Sequence, residues 1–255
     1  MSHWTEDAFV DRPETFAVSL HQRVGEADDE VEDLLSLVAE HGVVPETALD
    51  VACGIGRHAV EFADRGIAVR GLDISPAYVE TARDRAADAG VPSQTDFVVG
   101  DMRELDAVGG EYDLVTNLWT AFGYFDDATN EAVARGFRRC VADDGILVME
   151  LANKEATMAN YQNSAALLAD GVLHTERREY TPETGRMESE VVLFRETEDD
   201  YETIGELSWD LRLYAPAELR RLLERAGFSS VSCYGGLDGS VLERESSRLV
   251  VVAEP

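Results

Sequence analysis

Thr47-Ala-Leu-Asp-Val-Ala-Cys-Gly-Ile-Gly-Arg-His58, followed by Ile67-Ala-Val-Arg-Gly-Leu-Asp73, decides the fold. An apolar run, a glycine turn, a helix and a second apolar run ending in a carboxylate form the first half of a nucleotide-binding βαβ unit. In such units the glycines admit ligand against the backbone, and the acid accepts from a ribose hydroxyl. Asp50 departs from the dinucleotide version. It stands inside the first strand just ahead of Gly54 and Gly56, where it repels a pyrophosphate. A carboxylate there suits a cofactor that carries a cation.

Working outward, Val31, Leu34, Leu35 and Val38 recur at helical spacing behind an acidic first turn, which predicts a helix over 28–41 closed by Gly42 and Pro45. Strands are expected at 47–52 and 67–73 around a helix at 57–65. Ser75-Pro76 supplies an N-cap and a first-position proline for a helix that Gly90 ends. Further strands are expected at 95–100, 112–117 and 145–151, with a helix over 126–141 between the last two. Apolar strands alternating with helices indicate a parallel sheet covered on both faces.

The rhythm then changes. Residues 172–214 alternate apolar and polar, with Thr181-Pro-Glu-Thr-Gly185 as a turn between the runs 173–180 and 186–195 and a third run over 206–214. These predict inserted antiparallel strands. A helix follows Ala215-Pro216 and stops at Gly227, and runs at 230–234 and 248–253 complete a doubly wound, mostly parallel seven-stranded α/β sheet. One domain is expected over 1–255: an N-terminal arm and helix (1–45), a cofactor-binding core (46–151), the insert (152–214) and a C-terminal helix with the last two strands (215–255). The arm carries Trp4, Phe9 and Phe16 without a firm period, so its shape is open.

The chain has 255 residues, 22 of them Lys or Arg against 51 acidic, for a net charge of −29, and 45% are hydrophobic. Lys154 is the sole lysine. Phosphate affinity needs clustered positive charge, so nucleic acid and anionic membrane surfaces are not expected partners. The acid is spread along a chain rich in apolar residues, which argues against disorder. It predicts a solvated surface suited to a halophile's cytoplasm, where salt screens self-repulsion. Cys53, Cys140 and Cys233 imply neither a disulfide framework nor a metal site. Without a signal-peptide pattern or a long apolar run, a cytoplasmic location is expected.

Four strands in succession deliver a polar group at the carboxyl edge of the sheet, where ligands of open α/β sheets bind: Asp50 with the glycines, Asp73, Gly100-Asp101-Met102, and Asn117. Each alone could be an ordinary turn or cap. Together, the segments Leu49-Asp-Val-Ala-Cys-Gly-Ile-Gly56, Gly71-Leu-Asp-Ile-Ser-Pro76, Gly100-Asp-Met-Arg103 and Tyr112-Asp-Leu-Val-Thr-Asn117 resemble the successive motifs of class I S-adenosylmethionine-dependent methyltransferases, in their small-molecule branch. The likeness covers about residues 45–152 and extends to the segment 214–228.

The resemblance implies S-adenosyl-L-methionine as cofactor and a small-molecule methyl acceptor. By it, Asp50 and the backbone at Ala52, Cys53, Gly54 and Gly56 hold the methionine moiety. Asp73 accepts from the ribose, Ile74 packs on adenine, Asp101 and the Met102 amide read the adenine edge, and Asn117 with Leu118 lines the sulfonium end. Cys53 and Ile55 stand where the family pattern often has another glycine.

Trp119, Phe122, Tyr124 and Phe125 follow strand four where the reactive methyl lies, so their rings are candidates for cation–π contact with a sulfonium or for loop packing. Tyr124, His58 and His174 are the candidate bases should the acceptor need to lose a proton. His58 also reads as a first-turn helix residue and His174 as a surface histidine. The insert is expected to roof the acceptor site, with Trp4, Phe9 and Phe16 of the N-terminal arm closing it from the other side, or to form a homodimer surface. Two other readings stand: an NAD-dependent oxidoreductase, which the Gly54-Ile-Gly-Arg-His-Ala59 run favours and Asp50 opposes, and a catalytically silent cofactor-binding protein.

Overall fold

The structure is a computed structural model that describes residues 3–169, 171–197 and 200–255. The chain opens with α1 (Trp4–Glu6), a wide turn over Asp7–Asp11, α2 (Pro13–Gln22), a short 3-10 turn over Val24–Glu26 and α3 (Ala27–Glu40). The alternating core runs β1 (Thr47–Val51), α4 (Arg57–Asp64), β2 (Ala68–Asp73), α5 (Pro76–Asp88), β3 (Thr95–Val99), β4 (Tyr112–Asn117), α6 (Asp127–Cys140) and β5 (Val141–Ala152). Then come α7 (Lys154–Ala159), β6 (Ser164–Ala169), β7 (Val172–Thr181), β8 (Arg186–Glu196), β9 (Tyr201–Arg212), α8 (Pro216–Ala226), β10 (Ser230–Tyr234) and β11 (Arg248–Glu254).

Seven strands form one sheet in the order β10-β11-β5-β4-β1-β2-β3. β1 to β5 are parallel, and β11 runs antiparallel to both β5 and β10. Strand order reverses beside β1, which opens a crevice at the carboxyl ends of β1 and β4. Both faces are dry. Leu49, Val115, Leu147, Met149 and Val251 pack on Phe137, Leu219 and Leu222 from α6 and α8. Their alternate neighbours Ala48, Leu114, Ile146, Val148 and Val250 pack on Val31, Leu34, Phe62 and Ala82 from α3, α4 and α5.

The capping signals act as the sequence predicts. Ser75 Oγ accepts from the Tyr78 amide at 3.3 Å, and Asp126 Oδ1 accepts from the Thr129 amide at 2.7 Å. Gly227 takes the left-handed conformation that ends α8, with φ 110°. β5 starts earlier than its apolar run, at Val141, which pairs with Tyr112 before a register shift carries the ladder to Leu114 and Ile146, so the acidic segment before Gly145 bulges between the two pairs.

Two segments go beyond their sequence reading. The arm, whose shape the sequence leaves open, is helical: Phe9 and Leu20 pack with Ile55, Tyr78, Val191 and Leu207, so its apolar residues point to several elements and leave no single stripe. The insert contains α7 and a fourth strand, β6. In Ser164-Ala-Ala-Leu-Leu-Ala169 nothing alternates, and Leu167 and Leu168 are exposed on the sheet edge. The insert forms its own antiparallel sheet in the order β6-β7-β8-β9. No helix of the described residues is long and apolar enough to cross a membrane.

Gly123 joins this roof to the core. Its carbonyl accepts from the Arg212 amide at 2.8 Å, its φ is +101°, and a Cβ there would meet the Arg212 carbonyl oxygen at 2.5 Å. Gly123→Ala is expected to destabilise the protein by about 1–3 kcal/mol, through strain and overpacking against backbone, as measured by urea unfolding.

Candidate active site

β1 ends in a turn that only small residues fit. Ala52, Gly54 and Gly56 all take positive φ, at 59°, 55° and 73°. The Gly54 amide donates to Asp73 Oδ2 at 2.8 Å and the Ser75 amide to Oδ1 at 2.9 Å. Asp73 is therefore aimed across the crevice by backbone rather than by another side chain. Burial, with a smaller push from the charge of Asp50, raises its pKa to about 6 against the pull of these N–H groups.

Asp50 is buried in β1 at 2% exposure. Thr116 Oγ1, on β4, donates to its Oδ1 at 2.8 Å, while Oδ2 has no partner. Burial pushes its pKa up, and the charges of His58 and Arg57 and the Thr116 hydrogen bond oppose the push. Arg57 opens α4 at 3% exposure. Its Nη1 is ion-paired with Glu30 of α3 and also donates to the Arg23 carbonyl at 3.3 Å, while its Nη2 has no partner. A carboxylate oxygen and a guanidinium nitrogen, both buried and unsatisfied, thus belong to the walls of one cavity. Each such group costs on the order of 1–3 kcal/mol or more until something pairs with it.

Most of the expected residues meet around that cavity. Asp50, Ala52, Cys53 and Gly54 line one side, Asp73 and Ile74 the next, and Asp101 with Met102 the far end. Leu118, Trp119 and Tyr124 close it from the end of β4, with Phe125 beside them. Asp101 also caps the turn after β3: its Oδ1 accepts from the Arg103 amide at 2.8 Å and its Oδ2 from Arg103 Nε at 2.8 Å, which holds its pKa below the usual carboxylate range. Burial keeps the Cys53 thiol protonated.

Three expected residues lie behind the wall. Gly56 backs onto Ala82 and Phe97, where a Cβ would meet Ala82 Cβ at 2.8 Å. Asn117 is fully buried and donates to the Val51 carbonyl at 3.0 Å, tying β4 to β1. Phe122 turns into the core against Phe137 and Tyr214, because the chain reverses after Thr120 and sends alternate rings to opposite sides.

The candidate bases are separated. His58 lines the cavity, but its Nε2 is 2.8 Å from Glu30 Oε2, so the ring braces α4 against α3. Tyr124 is half-buried in the wall, and burial and the charge of Asp73 raise its phenol pKa, which makes it a poor base at neutral pH. His174 lies in β7, outside this cavity and in the wall of a second one.

The sequence reading missed Arg57 and Leu20 in the wall, while it expected Phe9 and Phe16 to close the site from the arm. Arg57 was hidden by its place directly after the glycine turn. Phe9, Phe16 and Leu20 of the arm close the side facing solvent. The remaining space is about 80 Å³, well below the roughly 300–1,000 Å³ of ordinary small-molecule sites.

Trp119 and Thr120 have φ of 56° and 63°, two left-handed non-glycine residues in succession. Such backbone persists only where its surroundings over-determine it. Here the buried Glu150 of β5 does so. Its Oε2 accepts from the Trp119 amide at 3.0 Å, its carbonyl accepts from the Thr120 amide at 2.8 Å, and the Thr120 hydroxyl accepts from the Ala152 amide at 3.0 Å.

The chain thus combines a reversed-order sheet, an antiparallel final hairpin and a cavity at the sheet's carboxyl edge lined by an acidic residue from each of β1 and β2. Residues 48–145 match the family model described as methyltransferase domain. Over 122 residues the chain is 34% identical to dTDP-3-amino-3,6-dideoxy-alpha-D-glucopyranose N,N-dimethyltransferase of Streptomyces fradiae, covering 48% of this chain and 45% of that one. Over 75 residues it is 37% identical to ajmaline N-methyltransferase of Rauvolfia serpentina, covering 29% and 26%. The match spans less than half the length of either relative.

A crystal structure of an S-adenosylmethionine-dependent methyltransferase from Clostridium acetobutylicum superposes with a TM-score of 0.81 at 13% identity, over 94% of this chain and 98% of that one, which shows the shared fold. Residues 48–145 therefore match a methyltransferase domain, within a chain that has the fold of an S-adenosylmethionine-dependent methyltransferase.

Glu30 is held at a pKa of about 2 by Arg57 and His58 in spite of partial burial. A depressed carboxylate stabilises the fold fully above its unfolded pKa near 4.5 and loses that contribution as pH falls toward 2. Glu30→Ala leaves the buried Arg57 unpaired. It is expected to cost about 3 kcal/mol at pH 7 and much less at pH 3, as read by denaturant unfolding at both values.

Proposed function

We propose that the protein transfers a methyl group from S-adenosylmethionine to an amine nitrogen of a small molecule. The observation that carries the cofactor half is the pair of unsatisfied buried groups in the first cavity. An α-amino acid tail offers an ammonium to Asp50 Oδ2 and a carboxylate to Arg57 Nη2, so one zwitterion answers both. Asp73 would receive the ribose hydroxyls, Ile74 would face the base, and Gly54 gives the backbone room for close approach. A dinucleotide would set its pyrophosphate against Asp50.

Bound there, S-adenosylmethionine supplies an electrophilic methyl whose carbon takes the acceptor's lone pair as the carbon–sulfur bond breaks and its electrons remain on sulfur. The chain's own part is alignment and exclusion of water, the larger share of rate in such displacements. Phe9, Phe16, Trp119 and Tyr124 belong to the walls of both the first cavity and the second, which lies under the roof sheet. This junction holds no side chain suited to remove a proton at neutral pH. A neutral amine needs none before it attacks, whereas most hydroxyl acceptors do. The names of the two relatives, both N-methyltransferases, support the same reading.

Calorimetry with S-adenosylhomocysteine and NAD tests the cofactor assignment. Saturable binding of the first and none of the second is expected, and the reverse overturns it. Asp50→Asn, which keeps shape and removes charge, is expected to weaken S-adenosylhomocysteine binding by about 1.5–3 kcal/mol, and Asp73→Ala by a similar amount. Turnover of at least one member of a broad amine panel separates an enzyme from a silent binding protein.

The pH dependence follows from Asp73. Ribose hydroxyls donate to the ionised carboxylate, whereas the unliganded chain holds the acid protonated below about 6. Affinity for S-adenosylhomocysteine is therefore expected to fall roughly tenfold per pH unit below about 6, and Asp73→Asn to flatten the profile.

The net charge of −29 supports a cytoplasm of high salt as the working environment. The melting temperature is expected to rise steeply from dilute buffer to molar KCl as self-repulsion is screened, and a flat response counts against that reading.

A further inference from the structure

The second cavity, about 440 Å³, lies between the arm, the loop after β4 and the roof sheet. Strand alternation sets its far wall. On β7, His174, Glu176 and Arg178 share one face and pair across to Leu193, Val191 and Ser189 of β8. Apart from this polar row and Arg23 at the arm, the cavity is largely apolar, with Trp4 and Trp209 added to the four rings at the junction.

The hydrogen-bonding groups in and beside that wall are unevenly satisfied. Glu176, its only carboxylate, is ion-paired with Arg178 Nη2. The buried groups without partners are Trp4 Nε1, Arg178 Nε and, opposite Arg178 in the ladder, Ser189 Oγ. The first two can only donate, and the hydroxyl can donate. Charge is balanced at this wall, where Arg178 pairs with Glu176 and Arg23 with Glu26 at 2.8 Å, in a chain whose net charge is −29.

We propose that the methyl acceptor is a ring-bearing amine that also carries a carboxylate, with the amine at the aromatic junction and the carboxylate held by Arg178 and Trp4 beneath β7. This rests on the methyltransferase reading above and deepens it. The rings remove the acceptor's body from water, and the unpaired donors fix which end points away from the methyl. A buried donor left empty rejects analogues that lack its acceptor, so the anchor sets selectivity as well as affinity. Transfer itself forms a nitrogen–carbon bond and breaks the carbon–sulfur bond, and the proton of the resulting ammonium leaves to water.

Calorimetry on the full chain saturated with S-adenosylhomocysteine tests it with three probes: 4-aminobenzoate, aniline and 4-aminobenzylamine. The expected result is that 4-aminobenzoate binds at least about tenfold more tightly than aniline, with 4-aminobenzylamine no tighter than aniline. Arg178→Gln is expected to bring the benzoate-to-aniline ratio close to one while leaving S-adenosylhomocysteine affinity unchanged. Trp4→Phe, which keeps the ring and removes only the N–H, is expected to reduce the ratio about threefold and guards against a roof that fails to fold without Arg178.

The proposal is overturned if 4-aminobenzoate does not bind at millimolar concentration, if either other probe binds as tightly, or if the ratio survives both substitutions. Absence of S-adenosylhomocysteine binding by the unaltered chain sinks the cofactor assignment instead, so the two failures are told apart.

Discussion

A negative charge buried in the middle of a parallel sheet is the constraint around which this molecule is arranged. Asp50 sits where every neighbour along β1 is apolar, and only one of its oxygens is satisfied, by Thr116. Burying a carboxylate half-paired is costly, and a fold tolerates it where an incoming cation completes the pairing. The elements around it serve that end. α3 supplies Glu30 to hold Arg57 and His58, α4 begins on a left-handed glycine so that Arg57 enters the cavity wall, and β4 brings Thr116 alongside. The two unsatisfied groups have opposite charge and belong to residues lining one cavity, which is what the proposed zwitterion would need.

Much of this was readable in the amino-acid order because the informative signals are local. Apolar strands, the Gly54 and Gly56 turn, Ser75-Pro76 and the carboxylate closing β2 each declare themselves within a few residues, and the parallel sheet follows from their alternation with helices. What stayed hidden depends on tertiary direction. Phe122 and Tyr124 are two residues apart in an aromatic loop, yet one enters the core and the other the cavity, since the left-handed pair Trp119-Thr120 turns the chain between the end of β4 and the loop. Asn117 stands at a strand end, where its Nδ2 ties β4 to β1 and its Oδ1 has no partner among the described residues. Arg57 looks like a helix start and is a wall residue. The arm and β6 carry no period because their apolar residues serve the cavity and the sheet edge, not one packed stripe.

Glu150 shows how the second half of the sheet supports the first. It lies on β5, outside the motifs of β1 to β4, and bonds to both residues of the strained pair after β4, with Arg248 of β11 on its other oxygen at 3.3 Å. The indole shared by the walls of the two cavities is thus held from behind by a carboxylate, which is in turn held by the antiparallel hairpin. The roof sheet answers from above through Arg212, whose amide meets Gly123 and whose guanidinium lies over Tyr214 at 4.7 Å.

The tight enclosure of the first cavity by Phe9, Phe16 and Leu20 has a kinetic corollary. On the proposed transfer, a spent nucleoside would leave and a fresh one enter past those leading helices, a movement on the microsecond-to-millisecond scale typical of gated enzymes. The same helices furnish Trp4 and Phe9 to the neighbouring chamber, so a molecule seated beneath them would share a wall with the space beside it.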